Sequence, residues 1–219
     1  MDSSLPAALP PEILRRISHE EMVDLPIQRY EGEVRLVATP ADLESALADI
    51  VGDSVSQMDK GTDGGGQPSV VGFDTETRPA FRKGESYLPC LAQVATARAV
   101  YLFQLQRADW SAPMAQMLSS DGIVKAGVSL ADDLRNLKKL FAFEERAIVD
   151  VGIVAKRHGL KQTGVRNLAG IFLGFRIPKG TKTSNWAAPR LSPQQITYAA
   201  TDAWACRELY LCFKKLGLV

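Results

Sequence analysis

Apolar residues along this chain fall into short blocks, and the spacing within each block indicates an element. Val70-Val71-Gly72-Phe73, Leu91 to Ala95, Val100 to Phe103 and Ile123 to Ala126 are near-continuous apolar runs of strand length, the pattern of strands covered on both faces. Val34 to Val37 and Ala147 to Val149 read as two further short strands. Elsewhere the period lengthens to that of a helix. Thr39-Pro40 opens one with Leu43, Leu47, Ile50 and Val51 on its apolar face. Ser129 to Phe141 carries Leu130, Leu134, Leu137 and Phe141 on one face. Helices are expected near 12–22, 113–118, 151–158 and 165–173, Pro11 sitting well in the first turn of the earliest. Ser192-Pro193 starts a long final helix reaching Leu216, with Ser192 as N-cap and Pro193 at the first helical position. Residues 57–68, centred on Gly64-Gly65-Gly66, and residues 174–191 read as loops. Strands first, then strands alternating with helices, predict an α/β fold with helices on both faces of the sheet. Residues 1–32 read as an N-terminal extension and 33–219 as one domain.

The net charge of +1 conceals two opposed halves. Residues 1–66 hold thirteen acids and five bases, a net of −8; residues 67–219 hold twelve acids and twenty-one bases, a net of +9. No Asp or Glu occurs between Asp150 and Asp202, a stretch that carries Lys156, Arg157, Lys161, Arg166, Arg176, Lys179, Lys182 and Arg190. Such a one-sign region is either a dispersed solvated set or a phosphate-binding surface. Three cysteines without a C-x-x-C pair exclude a zinc site of the usual spacing. They are also those of a reduced chain, and a cytoplasmic one is the expectation. No apolar run approaches the roughly 20 residues of a membrane span, so no membrane partner is expected. Two histidines, His19 and His158, supply Ser-His catalysis poorly.

Four acids interrupt apolar patterns. Asp74 and Glu76 follow the run Val70 to Phe73 and, two apart on a strand, point the same way. Neighbouring like charges there are either fully solvated or shared by a divalent cation, and carboxylate oxygens suit Mg²⁺ or Mn²⁺. At about 100° per residue, Asp133 lies at the margin of the apolar face of its helix and Asp132 nearly opposite it. Asp132 reads as a surface acid. Asp133 is aimed at the sheet, or serves as a first-turn acid favoured by the helix dipole. On the last helix Tyr198, Asp202, Cys206, Leu209 and Phe213 form one stripe with a carboxylate in its middle. Such an acid is hydrogen-bonded by the Tyr four residues earlier or bound to metal. Acids from one strand end and two helices can converge on a pair of cations about 4 Å apart, a clamp for phosphodiester displacement.

The strings Phe73-Asp74-Thr75-Glu76, Gly127-Val128-Ser129-Leu130-Ala131-Asp132-Asp133 and Tyr198-Ala199-Ala200-Thr201-Asp202-Ala203 resemble the three motifs of the DEDDy 3′–5′ exonucleases. Within that family, the exonuclease domain of the Werner helicase and ribonuclease D share the pattern. Leu91-Ala92-Gln93 and Lys182-Thr183-Ser184-Asn185-Trp186 match as well, and the resemblance covers about residues 33–219. It implies a ribonuclease H-like fold with a mixed central sheet. It implies two divalent cations, Mg²⁺ or Mn²⁺, on Asp74, Glu76, Asp133 and Asp202, and a Tyr198 that positions or helps deprotonate the attacking water. Glu76 would also touch the 3′-terminal sugar or the water. The implied activity is release of nucleoside 5′-monophosphates from a single-stranded or 3′-ended nucleic acid, DNA favoured. Ribonuclease D-like trimming of RNA and a non-catalytic binding module are the alternatives. Neither helicase-type sequence nor an added RNA-binding domain accompanies the motifs here, so grip on substrate is expected from the basic region: Lys179, Lys182, Ser184, Asn185, Trp186 and Arg190. Trp186 either stacks on a base or braces its loop from within.

Overall fold

The structure, a computed structural model, describes residues 9–11, 13–58, 68–82, 84–179 and 184–219, with only the backbone for 52–58. The expected 57–68 loop and Lys182 thus fall largely or wholly outside the described residues. In chain order the elements are α1 (His19–Asp24), β1 (Glu33–Val37), α2 (Pro40–Met58), β2 (Ser69–Glu76), β3 (Leu91–Ala95) and β4 (Ala99–Gln104). Then come α3 (Ser111–Leu118), β5 (Ile123–Gly127), α4 (Leu130–Leu137), β6 (Ile148–Asp150), α5 (Val151–Arg157), α6 (Val165–Leu168) and α7 (Pro193–Lys215), with a π-helical turn at Ala169–Leu173.

One six-stranded sheet runs in the order β1-β4-β3-β2-β5-β6. The pairs β2/β3 and β3/β4 are antiparallel, while β1/β4, β2/β5 and β5/β6 are parallel. This is the mixed sheet of a ribonuclease H-like fold, with helices on both faces. On one face Val71, Phe73, Val94, Tyr101 and Phe103 pack with residues of α2, α3 and α4. On the other, α7 covers the centre: Ala199, Ala200 and Ala203 meet Leu91, Ala95, Val100 and Leu102, while Leu209 and Phe213 join Val70, Val124 and Val151. Lys125 on β5 is fully buried, and its ammonium donates to the Ser120 carbonyl at 2.7 Å.

Two helices differ from the sequence expectation. The predicted helix over 12–22 begins only after Ser18, which caps it together with Glu21 in a reciprocal pair. The side chain of Gln162 takes both backbone groups of Ile17, at 2.7 and 3.0 Å, and holds that residue out of a helix. The Ser129 helix ends at Leu137 rather than Phe141, closing in short turns from Lys139 to Asn136 and from Leu140 to Leu137. The described part of the expected N-terminal extension is packed against the rest of the chain. Leu9 and Ile17 are buried, and across the Ile27–Arg176 bridge the Gln28 amide donates to the Arg176 carbonyl while the Arg176 amide donates to the Pro26 carbonyl.

Glycine 72 sets the distance between α7 and the sheet. A β-carbon there would lie 1.9 Å from the carbonyl oxygen of Ala203. The helix rides on backbone, with the fully buried Ala199, Ala200 and Ala203 beside the contact. Elsewhere a Gly-to-Ala change inside a strand gains about 0.5–1 kcal/mol through backbone entropy. Here overpacking, at about 1–3 kcal/mol, wins. Gly72→Ala is therefore expected to lower the free energy of urea-induced unfolding; equal or greater stability would mean that α7 is not seated on β2 as described.

Candidate active site

The site begins with strand alternation. Asp74 and Glu76 end β2 on the face covered by α7, while Phe73 and Thr75 point to the opposite face. From α7, Asp202 comes to meet them, 5% exposed. One carboxylate oxygen from each of Asp74, Glu76 and Asp202 lies within 4.8 Å of the others. Burial is the main cause that holds the Asp74 carboxyl well above its ordinary range, followed by the charges of Asp202, Asp133 and Glu76. Opposite Asp74 on β3, the fully buried Gln93 shares this face, and its amide makes no hydrogen bond among the described residues.

Asp133 arrives from α4, across the end of the sheet. It is not among the three acids that cluster within 4.8 Å, and the hydroxyl of Thr75 donates to its carboxylate. The middle residue of Asp-Thr-Glu thus ties the α4 acid to the strand that bears the other two. Burial raises the Asp133 carboxyl as well. Asp132 is exposed and paired with Arg135. Asp150, at the end of β6, holds α4 in place. One of its oxygens accepts from the backbone of Leu130 at 3.0 Å and the other from that of Ile153, also 3.0 Å. A single carboxylate therefore caps α4 and α5. Ser129 cannot cap α4, since its backbone is left-handed (φ 62°) and its side chain makes no capping bond.

Tyr198 lies one turn before Asp202 and hydrogen-bonds it. Burial and then the Asp202 charge push its phenol up, so the hydroxyl keeps its proton. Its ring packs 6.0 Å from that of Trp186. Trp186 is 1% exposed and sits among Cys90, Leu91 and Leu102, so it braces the loop and offers no stacking face to a base. Of the other expected nucleic-acid contacts, Lys179, Asn185 and Arg190 are exposed and Ser184 is half-buried. Asn185 helps line a pocket with Arg78, Pro79 and Phe81 beside the end of β2.

Thr75 and Asp150 carry no expectation from sequence. A strand-ending Asp just ahead of a helix could have been read as the cap of α5. Its second bond, to α4, and the Thr75 bond to Asp133 are long-range contacts without a local pattern.

The donor set fits a divalent cation: hard oxygen ligands, close together, partly or wholly buried, with like charges left to repel when no cation offsets them. The sign of the pH effect follows. Because the folded-state value of Asp74 lies above its unfolded one, about 3.9, its stabilising contribution is complete below that pH and is lost as pH rises through the folded value. With a chelator present, Asp74→Asn is expected to gain thermal stability relative to the native chain between pH 4 and pH 8. Added Mn²⁺ should narrow the gap by stabilising the native chain. A melting difference indifferent to both pH and Mn²⁺ would contradict this.

Residues 49–217 match the sequence model of a family described as 3′-5′ exonuclease. The chain is similar to a ribonuclease D of Gluconacetobacter diazotrophicus, 32% identical over 144 residues, covering 64% of this chain and 36% of that protein. It is similar also to the mouse bifunctional 3′-5′ exonuclease/ATP-dependent helicase WRN, 30% identical over 155 residues, covering 68% of this chain and 11% of that one. The chain thus spans about a third of the length of the first relative and about a tenth of the second. Among solved structures, the Aedes aegypti Nibbler EXO domain superposes with a TM-score of 0.70 at 22% identity, covering 86% of this chain and 92% of that one. A family match over most of the domain, on a fold that brings the acids of all three motifs to one end of the sheet, makes this chain a member of the 3′-5′ exonuclease family.

Proposed function

We propose that the protein is a metal-dependent 3′–5′ exonuclease that hydrolyses the terminal phosphodiester of a single strand and releases nucleoside 5′-monophosphates. The observation that carries the reading is the approach of Asp74, Glu76 and Asp202 to within 4.8 Å at the end of β2, with Asp133 tied to the same strand. Two divalent cations, Mg²⁺ or Mn²⁺, held by Asp74, Glu76, Asp133 and Asp202, would lower the pKa of a bound water and offset charge on the phosphorane-like transition state. The water oxygen bonds to phosphorus, the bond to the 3′ oxygen breaks, and that oxygen takes a proton. Tyr198, hydrogen-bonded to Asp202, holds the attacking water. Glu76 faces the terminal sugar or that same water. Exposed Lys179 and Arg190 take phosphates behind the terminal nucleotide. The unpaired state of Cys90, Cys206 and Cys212 supports a place in the reducing cytoplasm.

DNA is the first substrate in this reading. Trimming of RNA 3′ ends is the second, and the likeness to a ribonuclease D favours it. The carboxylates act at a phosphodiester common to both polymers. Product formation on matched 5′-labelled DNA and RNA oligonucleotides, with Mg²⁺ and then Mn²⁺, separates the two.

Asp74→Ala and Asp202→Ala are each expected to abolish cleavage with the fold retained by circular dichroism, since such groups contribute several kcal/mol to transition-state stabilisation. More than about a tenth of the native rate at saturating metal would defeat the assignment. In the same assay Asp132→Asn should be mild and Asp133→Asn severe; the reverse order would misplace α4.

Tyr198→Phe is expected to lower kcat with little change in KM, because the hydroxyl acts on the nucleophile in the transition state. Single-turnover cleavage at the native rate would remove Tyr198 from the reaction.

A further inference from the structure

We propose that the N-terminal segment ahead of the family-matched stretch is part of the substrate site: with Arg29, Arg166 and Lys179 it forms a groove that holds the phosphates upstream of the 3′ end of a single strand. This deepens the exonuclease reading and rests on it. Two concavities meet at Tyr198 and Lys179. One, of about 430 Å³, is lined by Arg29, Pro178, Thr197 and Thr201 among others. The second, about 490 Å³, continues on the far side of Lys179, between Ser18, His19 and Met22 of the N-terminal segment and Gln162, Arg166 and Asn167 of the domain. Each has the capacity of a small-ligand site, which runs from about 300 to 1,000 Å³. Tyr198 is a wall of both and stands one helical turn before Asp202, so the groove runs beside the residue that adjoins the carboxylates.

The charges lining this groove are one-sided. Among the described residues no Asp or Glu lines either concavity, whereas Arg29, Arg166 and Lys179 do, with His19 beside them. Neither Arg29 nor Lys179 has an ion-pair partner among the described residues, and both are exposed. Arg166 is set in place at the rim by a bond of 3.0 Å from its Nε to the Ile177 carbonyl. Bases without acids, facing a groove that leads to a phosphodiester-cleaving site, match the polyanionic backbone of a single strand.

The segment is anchored at points that position these groups. Gln162 grips the backbone of Ile17 on both sides. Arg29 is framed by two ties: the Gln28 amide donates to the Arg176 carbonyl at 3.1 Å, and the Tyr30 amide to the Thr201 hydroxyl at 3.0 Å. Thr201 precedes Asp202, so Arg29 is referenced to the same turn of α7 as the carboxylate. The acids of α1 lie off the groove, and Glu21 is turned back to cap Ser18.

The test compares kcat/KM of the full chain on a 5′-labelled hexanucleotide and on a dinucleotide, with Mn²⁺. In Arg29→Glu the hexanucleotide-to-dinucleotide ratio is expected to fall about tenfold, chiefly through KM, and in Arg29→Ala about threefold. Arg16→Glu makes the same charge change on the same segment at an exposed residue that lines neither concavity, and should leave the ratio as it is. Loss of the Arg29 phosphate contact should also shrink the slope of log affinity against log salt by about 0.7 for a single strand. A ratio unmoved by Arg29→Glu, or moved equally by Arg16→Glu, overturns the proposal. A native chain that cleaves neither substrate overturns the exonuclease reading instead.

Discussion

The contact between the backbone of α7 and the backbone of β2 at Gly72 is the constraint on which the site depends. Carboxylates do not gather of their own accord: each added charge raises the cost of the others, and burial multiplies it. Something unrelated to the acids must force them together. Here it is apolar packing. The alanines at 199, 200 and 203 and the missing side chain at 72 let a 23-residue helix settle directly on the centre of the sheet. Leu209 and Phe213 then fasten its second half. Asp202 is carried into the site by the burial of its neighbours, and its charge there helps hold the Asp74 carboxyl above its ordinary range.

A second set of contacts orders what packing alone would leave loose. Asp133 reaches the site from a helix of eight residues that the preceding Ser129 cannot cap. The Asp150 carboxylate fixes the start of that helix and the start of the next one. Thr75 then takes hold of Asp133 from the side of β2 opposite to Asp74 and Glu76. Three consecutive residues of one strand therefore serve the site from both faces of the sheet, two as acids and one as the tether for a third acid.

Much of this was legible in the residues. The strands with near-continuous apolar runs, the Ser192-Pro193 start of α7, and the outward and inward aims of Asp132 and Asp133 follow from periodicity and capping, which are local. Where the reading fell short, a distant partner decides. Gln162 delays the first helix by binding Ile17, and no pattern near residue 17 announces it. The burial of Trp186 depends on the seat it finds beside Leu91 and Leu102. Lys125 lies inside the apolar run of β5 and stays buried because the Ser120 carbonyl caps its ammonium. The expected extension at 1–32 is likewise local in composition, whereas its attachment to Thr201 and Arg176 is tertiary.

The place of β2 in the sheet bears on folding. It pairs antiparallel with β3 on one side and parallel with β5 on the other, with Asp74 opposite Gln93 and Gly72 opposite both Ala95 and Ala126. A slip of one residue would turn every side chain of β2 to the other face. Phe73 and Thr75 would meet α7, the acids would be driven into the apolar layer beneath α4, and the close approach at Gly72 would be blocked by a valine or a phenylalanine. Only the native register brings the carboxylates of strand and helix together. The cluster of acids is then a report on strand alignment, since a mis-registered sheet would scatter the groups that the correct one gathers.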